Sequence, residues 1–149
     1  MVKVLVTGGA GYLGVKTVEL LLNNGYHVTA LDNLMYKQTT LLHLCTNKNF
    51  SFIEQDVTDF NLLKKTIKDY DIIIPLAAIV GAPACDVNKE LATKINFEQI
   101  KCIVDNLRDN QKLVMPNTNS QYGSSTEIIT EDSPFNPLSH YAQTKCDAE

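Results

Sequence analysis

Closely spaced cysteines, an excess of basic charge and long apolar runs are all absent from this sequence of 149 residues. Its net charge of −4 provides no basic surface for nucleic acid. No apolar run is long enough to span a bilayer, and no signal peptide precedes the first predicted strand. We therefore expect a cytoplasmic protein with neither a membrane nor a nucleic-acid partner.

The cysteines and histidines give no sign of a metal site or a disulfide framework. Cys45, Cys85, Cys102 and Cys146 lie far apart without a C-x-x-C pair, and the sequence has only three histidines. We expect four reduced thiols and no bound metal. A chain of this length with 44% hydrophobic and 20% charged residues is typical of one globular domain.

The first 32 residues predict a strand, a helix and a second strand. A short β-branched run at residues 2–6 is typical of a buried parallel strand. The residues that then recur at helical spacing are Leu13, Thr17, Leu20, Leu21 and Leu22. Gly25 predicts the end of this helix, and a second apolar run ends on Asp32.

The glycines between the first strand and the helix each have a physical role. Gly8 allows a sharp turn, Gly11 leaves room for a pyrophosphate near the backbone, and Gly14 allows close packing of the helix on the strand. The helix N-terminus offers free N–H groups to phosphates. Asp32 can accept hydrogen bonds from both ribose hydroxyls and would repel a 2′-phosphate, which predicts NAD rather than NADP. The alternative is a glycine-rich turn that binds no nucleotide.

Strands and helices alternate along the rest of the chain. The predicted strands lie near residues 50–55, 71–78 (a strand and the turn beyond it) and 112–115. The predicted helices lie at 59–68, 90–108 and from 139 onwards. Leu62, Leu63 and Ile67 are expected to face the core, and residues 79–88 to form a loop. This alternation predicts an α/β protein, a Rossmann-like doubly wound parallel sheet with strand order 3-2-1-4-5 and helices on both faces. Ligands are expected at the carboxyl ends of strands 1 and 4.

Tyr141 and Lys145 lie four residues apart and therefore share one face of the last predicted helix. A free tyrosine is a poor base at neutral pH, but a nearby ammonium stabilises the phenolate and lowers its pKa. Thr118 follows the fifth predicted strand, where its hydroxyl can hydrogen-bond a substrate oxygen. The Tyr-x-x-x-Lys pair alone also fits an ordinary amphipathic helix, so the prediction depends on its place in this fold.

Seven stretches of the chain are together specific enough to indicate a protein family. They are residues 7–14 (TGGAGYLG), 32–34 (DNL), 56–57 (DV), 76–78 (LAA), Asn96, 117–123 (NTNSQYG) and 136–145 (NPLSHYAQTK). Together they resemble the extended short-chain dehydrogenase/reductase family, the NAD-dependent nucleotide-sugar epimerases and dehydratases. The resemblance extends from the first residue to the last.

The resemblance implies a catalytic group of Thr118, Tyr141 and Lys145, with NAD as cofactor and a nucleotide sugar as substrate. Tyr141 would take a proton from a sugar hydroxyl while the hydride passes to NAD. The implied cofactor-binding residues are Gly8, Gly11, Tyr12, Leu13, Gly14, Asp32, Asn33, Asp56, Val57, Leu76, Ala77, Ala78, Asn96, Tyr141 and Lys145.

Three of these assignments have structural alternatives. Asp56 would bond the adenine amino group, or it caps the helix that follows. Ala77 and Ala78 would let the backbone approach the cofactor, or they pack in the core. The Asn96 amide would hold the backbone of strand 4, or it is solvated.

Two departures from the family concern the reaction and the fourth strand. Asn119 and Ser120 stand where 4,6-dehydratases commonly carry acids, so a 4-epimerase or a related oxidoreductase is favoured over a dehydratase. Pro75 stands where the family more often has histidine, and proline removes a donor from the strand.

Length is the largest departure, because family members have about twice as many residues. Residues 1–149 correspond to the NAD-binding Rossmann domain, and the helix after Lys145 has no stop signal. We therefore expect a truncated chain without the substrate lobe, and whether it is an enzyme stays open. The alternatives are an NAD(H)-binding module or an inactive fragment. Strand 5 would be an exposed edge, so we expect a homodimer or another partner that covers it.

Overall fold

A five-stranded parallel sheet forms the centre of the fold in the computed structural model, which describes residues 1–126 and 128–149. The strands are β1 (Lys3–Thr7), β2 (His27–Asp32), β3 (Phe50–Glu54), β4 (Ile72–Pro75) and β5 (Lys112–Leu113). Their order is β3-β2-β1-β4-β5, and each neighbouring pair is parallel. The predicted fold class and strand order are confirmed.

Six α-helices accompany the sheet in the described part of the chain. They are α1 (Tyr12–Asn23), α2 (Phe60–Thr66), α3 (Ala82–Val87), α4 (Lys89–Thr93), α5 (Gln99–Val104) and α6 (His140–Ala148). A π-helical segment, Lys94–Glu98, lies between α4 and α5. None of the described helices has both the length and the apolar character needed to cross a membrane.

The chain forms two compact units. The first comprises Met1–Ala77 and Cys102–Pro116 and contains all five strands. The second comprises Ala78–Lys101 and Asn117–Glu149 and contains α3, α4 and α6.

Strand β1 is the central strand of the sheet and is buried on both faces. All four residues from Val4 to Thr7 are 0% exposed, although successive side chains point to opposite faces. Val4 and Val6 belong to a buried cluster with Val18 and Leu22 of α1. A continuous buried run of this kind is typical of a parallel strand covered on both sides.

The buried faces of α1 and α2 use only some of the apolar residues that the sequence places on them. The buried residues of α1 are Gly14, Val18 and Leu22, whereas Leu13 and Leu20 are exposed. Leu63 of α2 and Ile67, which directly follows the helix, are buried as predicted, but Leu62 is exposed. The physical reason is the same in both helices. Residues four apart lie on the same side of a helix and form one buried stripe, whereas an adjacent residue lies about 100° around the axis and falls outside this stripe.

Two predicted boundaries were wrong. The predicted loop at 79–88 contains α3, which follows Gly81 at φ +89° and has Pro83 in its first turn, where a missing N–H costs nothing. The long helix ends at Val104 rather than at Arg108. Beyond Val104 the N–H groups of Asn106 and Leu107 bond carbonyls three residues back instead of four, and the Arg108 N–H donates to the side chain of Gln111.

Candidate functional site

The turn between β1 and α1 requires glycine at several positions. Gly8 has φ +66°, and a Cβ there would lie 2.6 Å from the backbone nitrogen of Ala77. A Cβ on Gly14 would collide with the carbonyl oxygens of Gly8 and Gly9. Gly14 is therefore needed for close packing of α1 against the turn, rather than against the strand as predicted. A Cβ on Gly11 would lie 3.2 Å from the Gly8 carbonyl oxygen.

The N-terminus of α1 is open. Among the described residues no side chain caps it, and its first turn carries no acidic residue. Tyr12 is 97% exposed at this end, and Leu13 is also exposed. Backbone N–H groups at an uncapped N-terminus, with the positive end of the helix dipole, suit an anionic group such as a phosphate.

Asp32 connects the end of β2 to the glycine-rich turn. Its Oδ2 accepts a hydrogen bond from the Ala10 N–H at 3.1 Å, and its Oδ1 accepts one from the Leu34 N–H at 2.9 Å. The residue is 8% exposed. Each carboxylate oxygen keeps acceptor capacity beyond these bonds, so the side chain can still accept a ribose hydroxyl. The sequence identified Asp32 but not its bond to Ala10.

Asn33 and Asp56 are brought together after the ends of β2 and β3. Asn33 Nδ2 donates to Asp56 Oδ2 at 2.9 Å, and Asp56 Oδ1 accepts from the N–H and the hydroxyl of Thr58. Partial burial raises the pKa of the Asp56 carboxyl, but the hydrogen bonds from Thr58 and Asn33 outweigh it and lower the pKa. Asp59 caps α2 by accepting from the Leu62 N–H, so the alternative of Asp56 as that cap was wrong. Val57 is buried.

The carboxyl ends of β1 and β4 lie side by side, as predicted. Pro75 is the last residue of β4 and pairs with Thr7. The next donor, the Leu76 N–H, bonds the Thr7 carbonyl at 3.0 Å, so the pairing continues beyond the proline. The Ala77 N–H donates to Thr7 Oγ1 at 3.3 Å, which places the Ala77 backbone against Gly8. Ala78, in the second unit, is half-buried.

Thr118, Tyr141 and Lys145 all belong to the second unit. Ser139 Oγ accepts from the Ala142 N–H at 3.1 Å, which starts α6 at His140 and places Tyr141 in its first turn. The Tyr141 side chain lies beside Thr118. Lys145 lies one turn further along the same helix and is 7% exposed.

Burial controls the ionisation of the Tyr141 and Lys145 side chains. It raises the pKa of the Tyr141 phenol, and the hydrogen bond with Thr118 opposes this only in part. It also lowers the pKa of the Lys145 ammonium, with a smaller opposing effect from Cys85. The expectation that Tyr141 has a lowered pKa was therefore wrong for this structure, because loss of hydration disfavours the phenolate more strongly.

Asn96 lies in the π-helical segment and is 1% exposed, so the solvated alternative was wrong. Its Oδ1 accepts from the Ile79 N–H at 2.9 Å, and its Nδ2 donates to the Ile79 carbonyl at 3.0 Å. The amide thus holds the backbone just beyond β4 rather than in it. Nδ2 also donates to Thr144 Oγ1 at 3.2 Å and contacts Cys85 Sγ at 3.8 Å. Sequence reasoning missed Thr144 and Cys85, because neither has a charge or a spacing that marks it.

A parallel sheet in this order with a glycine-rich first turn defines a Rossmann-fold protein. Within that class, the chain belongs to the NAD dependent epimerase/dehydratase family, whose profile matches residues 4–149. The family is NAD-dependent, as the resemblance implied.

Curated relatives and solved structures agree with this family. The UDP-glucuronate 4-epimerase of Thermodesulfobacterium geofontis is 35% identical over 97% of this chain and 48% of its own length. The UDP-glucose 4-epimerase of Bacillus subtilis is 32% identical over 95% of this chain and 44% of its own length. The structure of UDP-glucuronic acid 4-epimerase from Bacillus cereus, in complex with UDP-glucuronic acid and NAD, matches with a TM-score of 0.87 and 28% identity over 98% of this chain and 49% of that one. The chain spans about half the length of the relatives it matches.

Proposed function

We propose that the chain is the cofactor-binding part of an NAD-dependent nucleotide-sugar 4-epimerase or a related oxidoreductase. The observation that carries the proposal is the placement of Tyr141 beside Thr118, with Lys145 one helical turn further along α6. Two of its relatives are UDP-sugar 4-epimerases, and the chain spans about half of their length. We therefore place the residues that hold the sugar nucleotide outside these 149 residues.

Three observations support NAD binding by the first unit. The N-terminus of α1 is uncapped, a Cβ at Gly8 or Gly14 would collide with the turn, and the Asp32 carboxylate holds the Ala10 backbone. We assign the pyrophosphate to the turn and the adenosine ribose to Asp32. Asp56, held by Asn33 and Thr58, is the proposed partner of the adenine. When bound, NAD supplies the acceptor of a hydride.

The second unit supplies the proposed proton transfer. Tyr141 Oη is the group that would take the proton from a sugar hydroxyl, and Thr118 would hydrogen-bond the same substrate oxygen. Because burial raises the Tyr141 pKa, the phenol is protonated at neutral pH and needs nearby positive charge to act as a base. We assign that role to the Lys145 ammonium.

Asn119 and Ser120 support a 4-epimerase over a 4,6-dehydratase. Both follow the proposed catalytic Thr118, and neither has a carboxyl group to expel a hydroxyl as water. Ser120 is already bonded to Thr118, since its N–H donates to Thr118 Oγ1 at 3.3 Å.

The alternative function is an NAD(H)-binding module without turnover, acting with a partner. The observation that favours it is the open edge of the sheet at β5, where the Val114 that follows the strand is exposed. A second copy or another chain that pairs with this edge would cover it. Epimerisation of a UDP sugar by the 149 residues alone would exclude the module.

Nucleotide preference tests the role assigned to Asp32. We expect the protein to bind NAD⁺ more tightly than NADP⁺, because the Asp32 carboxylate repels a 2′-phosphate. Asp32→Asn keeps the size of the side chain and removes its charge, so the ratio of the two affinities should fall roughly tenfold. Isothermal titration with both nucleotides measures this ratio.

The matched control is Asp59→Asn, because Asp59 is also a carboxylate that accepts from a backbone N–H, at the N-terminus of α2. This variant should leave the ratio unchanged. Equal binding of NAD⁺ and NADP⁺ by the unmodified protein would contradict the assignment of the ribose to Asp32.

A further inference from the structure

A buried polar cluster in the second unit includes residues that the proposed reaction does not use. Its side chains are Cys85, Asn96 and Thr144, which are 0%, 1% and 1% exposed. They connect α3, the π-helical segment and α6. Polar groups buried this completely are costly unless they are hydrogen-bonded, so their partners show what the cluster holds in place.

One end of the cluster is anchored at Ile79. Asn96 bonds both the N–H and the carbonyl of this residue, at 2.9 and 3.0 Å. The Cys85 thiol donates to the same carbonyl at 3.3 Å. The two hydrogen bonds to the backbone of Ile79 therefore fix the position of the Asn96 amide.

The other end of the cluster reaches the backbone of Tyr141. Asn96 Nδ2 donates to Thr144 Oγ1 at 3.2 Å, and Thr144 Oγ1 donates to the Tyr141 carbonyl at 2.8 Å. The hydroxyl is thus acceptor and donor at once, and the two bonds run in one direction from Asn96 to Tyr141.

Apolar packing provides little else to fix α6. The buried residues of this nine-residue helix are Ala142, Thr144 and Lys145. A methyl group and a lysine stem contribute few directional contacts, whereas hydrogen bonds constrain both distance and angle. His140 Nε2 at the start of α6 lies 3.0 Å from both Thr93 Oγ1 and the Lys89 carbonyl oxygen. The rotation of α6 about its axis therefore depends on the Thr144 hydroxyl together with His140.

We propose that Thr144 is a positioning residue for Tyr141, because its hydroxyl links the fixed Asn96 amide to the backbone that carries the phenol. This inference rests on the proposed function only in taking Tyr141 as the base. Thr144 touches no reacting atom in this role. Its loss should change where the phenol lies rather than remove a reacting group.

The test uses the intact chain labelled with ¹³C at the Cζ atom of tyrosine, measured by NMR at pH 7. The sequence has six tyrosines, and the signal that disappears in Tyr141→Phe is that of Tyr141. Thr144→Ala and Thr144→Ser both lose the methyl group and differ only in the hydroxyl. We expect the Tyr141 signal to shift towards those of the exposed tyrosines, or to broaden, in Thr144→Ala, and Thr144→Ser to keep the native signal.

Thr17→Ala is the control, because Thr17 Oγ1 also donates to a helix carbonyl, that of Leu13 at 3.0 Å, but lies in α1. It should leave the Tyr141 signal unchanged. A native signal in Thr144→Ala, or the same shift in Thr144→Ser, would overturn the proposal even if melting temperatures fall. NAD⁺ binding measured on the same samples separates the two hypotheses, since a protein that binds no NAD⁺ contradicts the proposed function but still reports the position of Tyr141.

Discussion

Gly14→Ala is expected to lower the free energy of unfolding by about 3 kcal/mol and to abolish NAD⁺ binding. Replacing glycine by alanine inside a helix normally stabilises it by about 1 kcal/mol. The sign is reversed here because the new Cβ would collide with the carbonyl oxygens of Gly8 and Gly9, which are backbone atoms and cannot rotate away. The collision can be relieved only if α1 moves, and this would displace the helix N-terminus to which we assign the pyrophosphate. Denaturant unfolding and NAD⁺ titration measure the two effects.

Gly25→Ala is the matched control for this prediction. Gly25 has φ +80°, which disfavours alanine, but a Cβ there would meet nothing within 4 Å. We expect a loss of about 1 kcal/mol from the left-handed backbone alone, with NAD⁺ binding retained. A Gly14→Ala protein as stable as Gly25→Ala, and still able to bind NAD⁺, would contradict the described turn geometry.

Asn96→Leu is expected to destabilise the protein by about 3 kcal/mol. Leucine has a similar size but removes the bonds to both backbone groups of Ile79 and to Thr144. The buried Ile79 N–H would then lose its partner, and the Ile79 carbonyl would keep only the weak donor of the Cys85 thiol, so both groups add to the loss. Chemical denaturation of the two proteins measures the difference.

The same substitution at Asn106 shows what a less critical asparagine contributes. Asn106 is half-buried, and its Nδ2 donates to the Cys102 carbonyl at 2.8 Å. Its replacement by leucine should cost about 1 kcal/mol. Losses of equal size at the two positions would show that the Asn96 bonds do not stabilise the fold as described.

Local patterns were sufficient to predict most of the fold. The β-branched run of β1, the glycines after it and the stop at Gly25 are short-range signals, and each corresponds to an element of the structure. The strand order follows because parallel strands joined by right-handed crossovers have few possible arrangements.

The errors arose where contacts distant in sequence decide the structure. The Gln111 side chain, which accepts from the Arg108 N–H, donates to the carbonyls of Ile67 and Tyr70, 44 and 41 positions away. Nothing in the apolar periodicity of the helix shows these contacts. The Ile79–Asn96–Thr144 hydrogen bonds join residues up to 48 positions apart. The raised Tyr141 pKa has the same origin, because burial is a property of the folded chain and not of the spacing between Tyr141 and Lys145.

The most direct test of NAD binding by this chain is thermal unfolding with and without NAD⁺, together with an assay for nucleotide released on denaturation. At about 100 times its dissociation constant, a ligand that binds only the native state adds about 2.7 kcal/mol of stability. For a chain of this size we expect the Tm to rise by roughly 5 °C or more, or near-stoichiometric NAD to be released from protein that retained it on purification. No change in Tm at saturating NAD⁺, with no nucleotide released, would contradict the account.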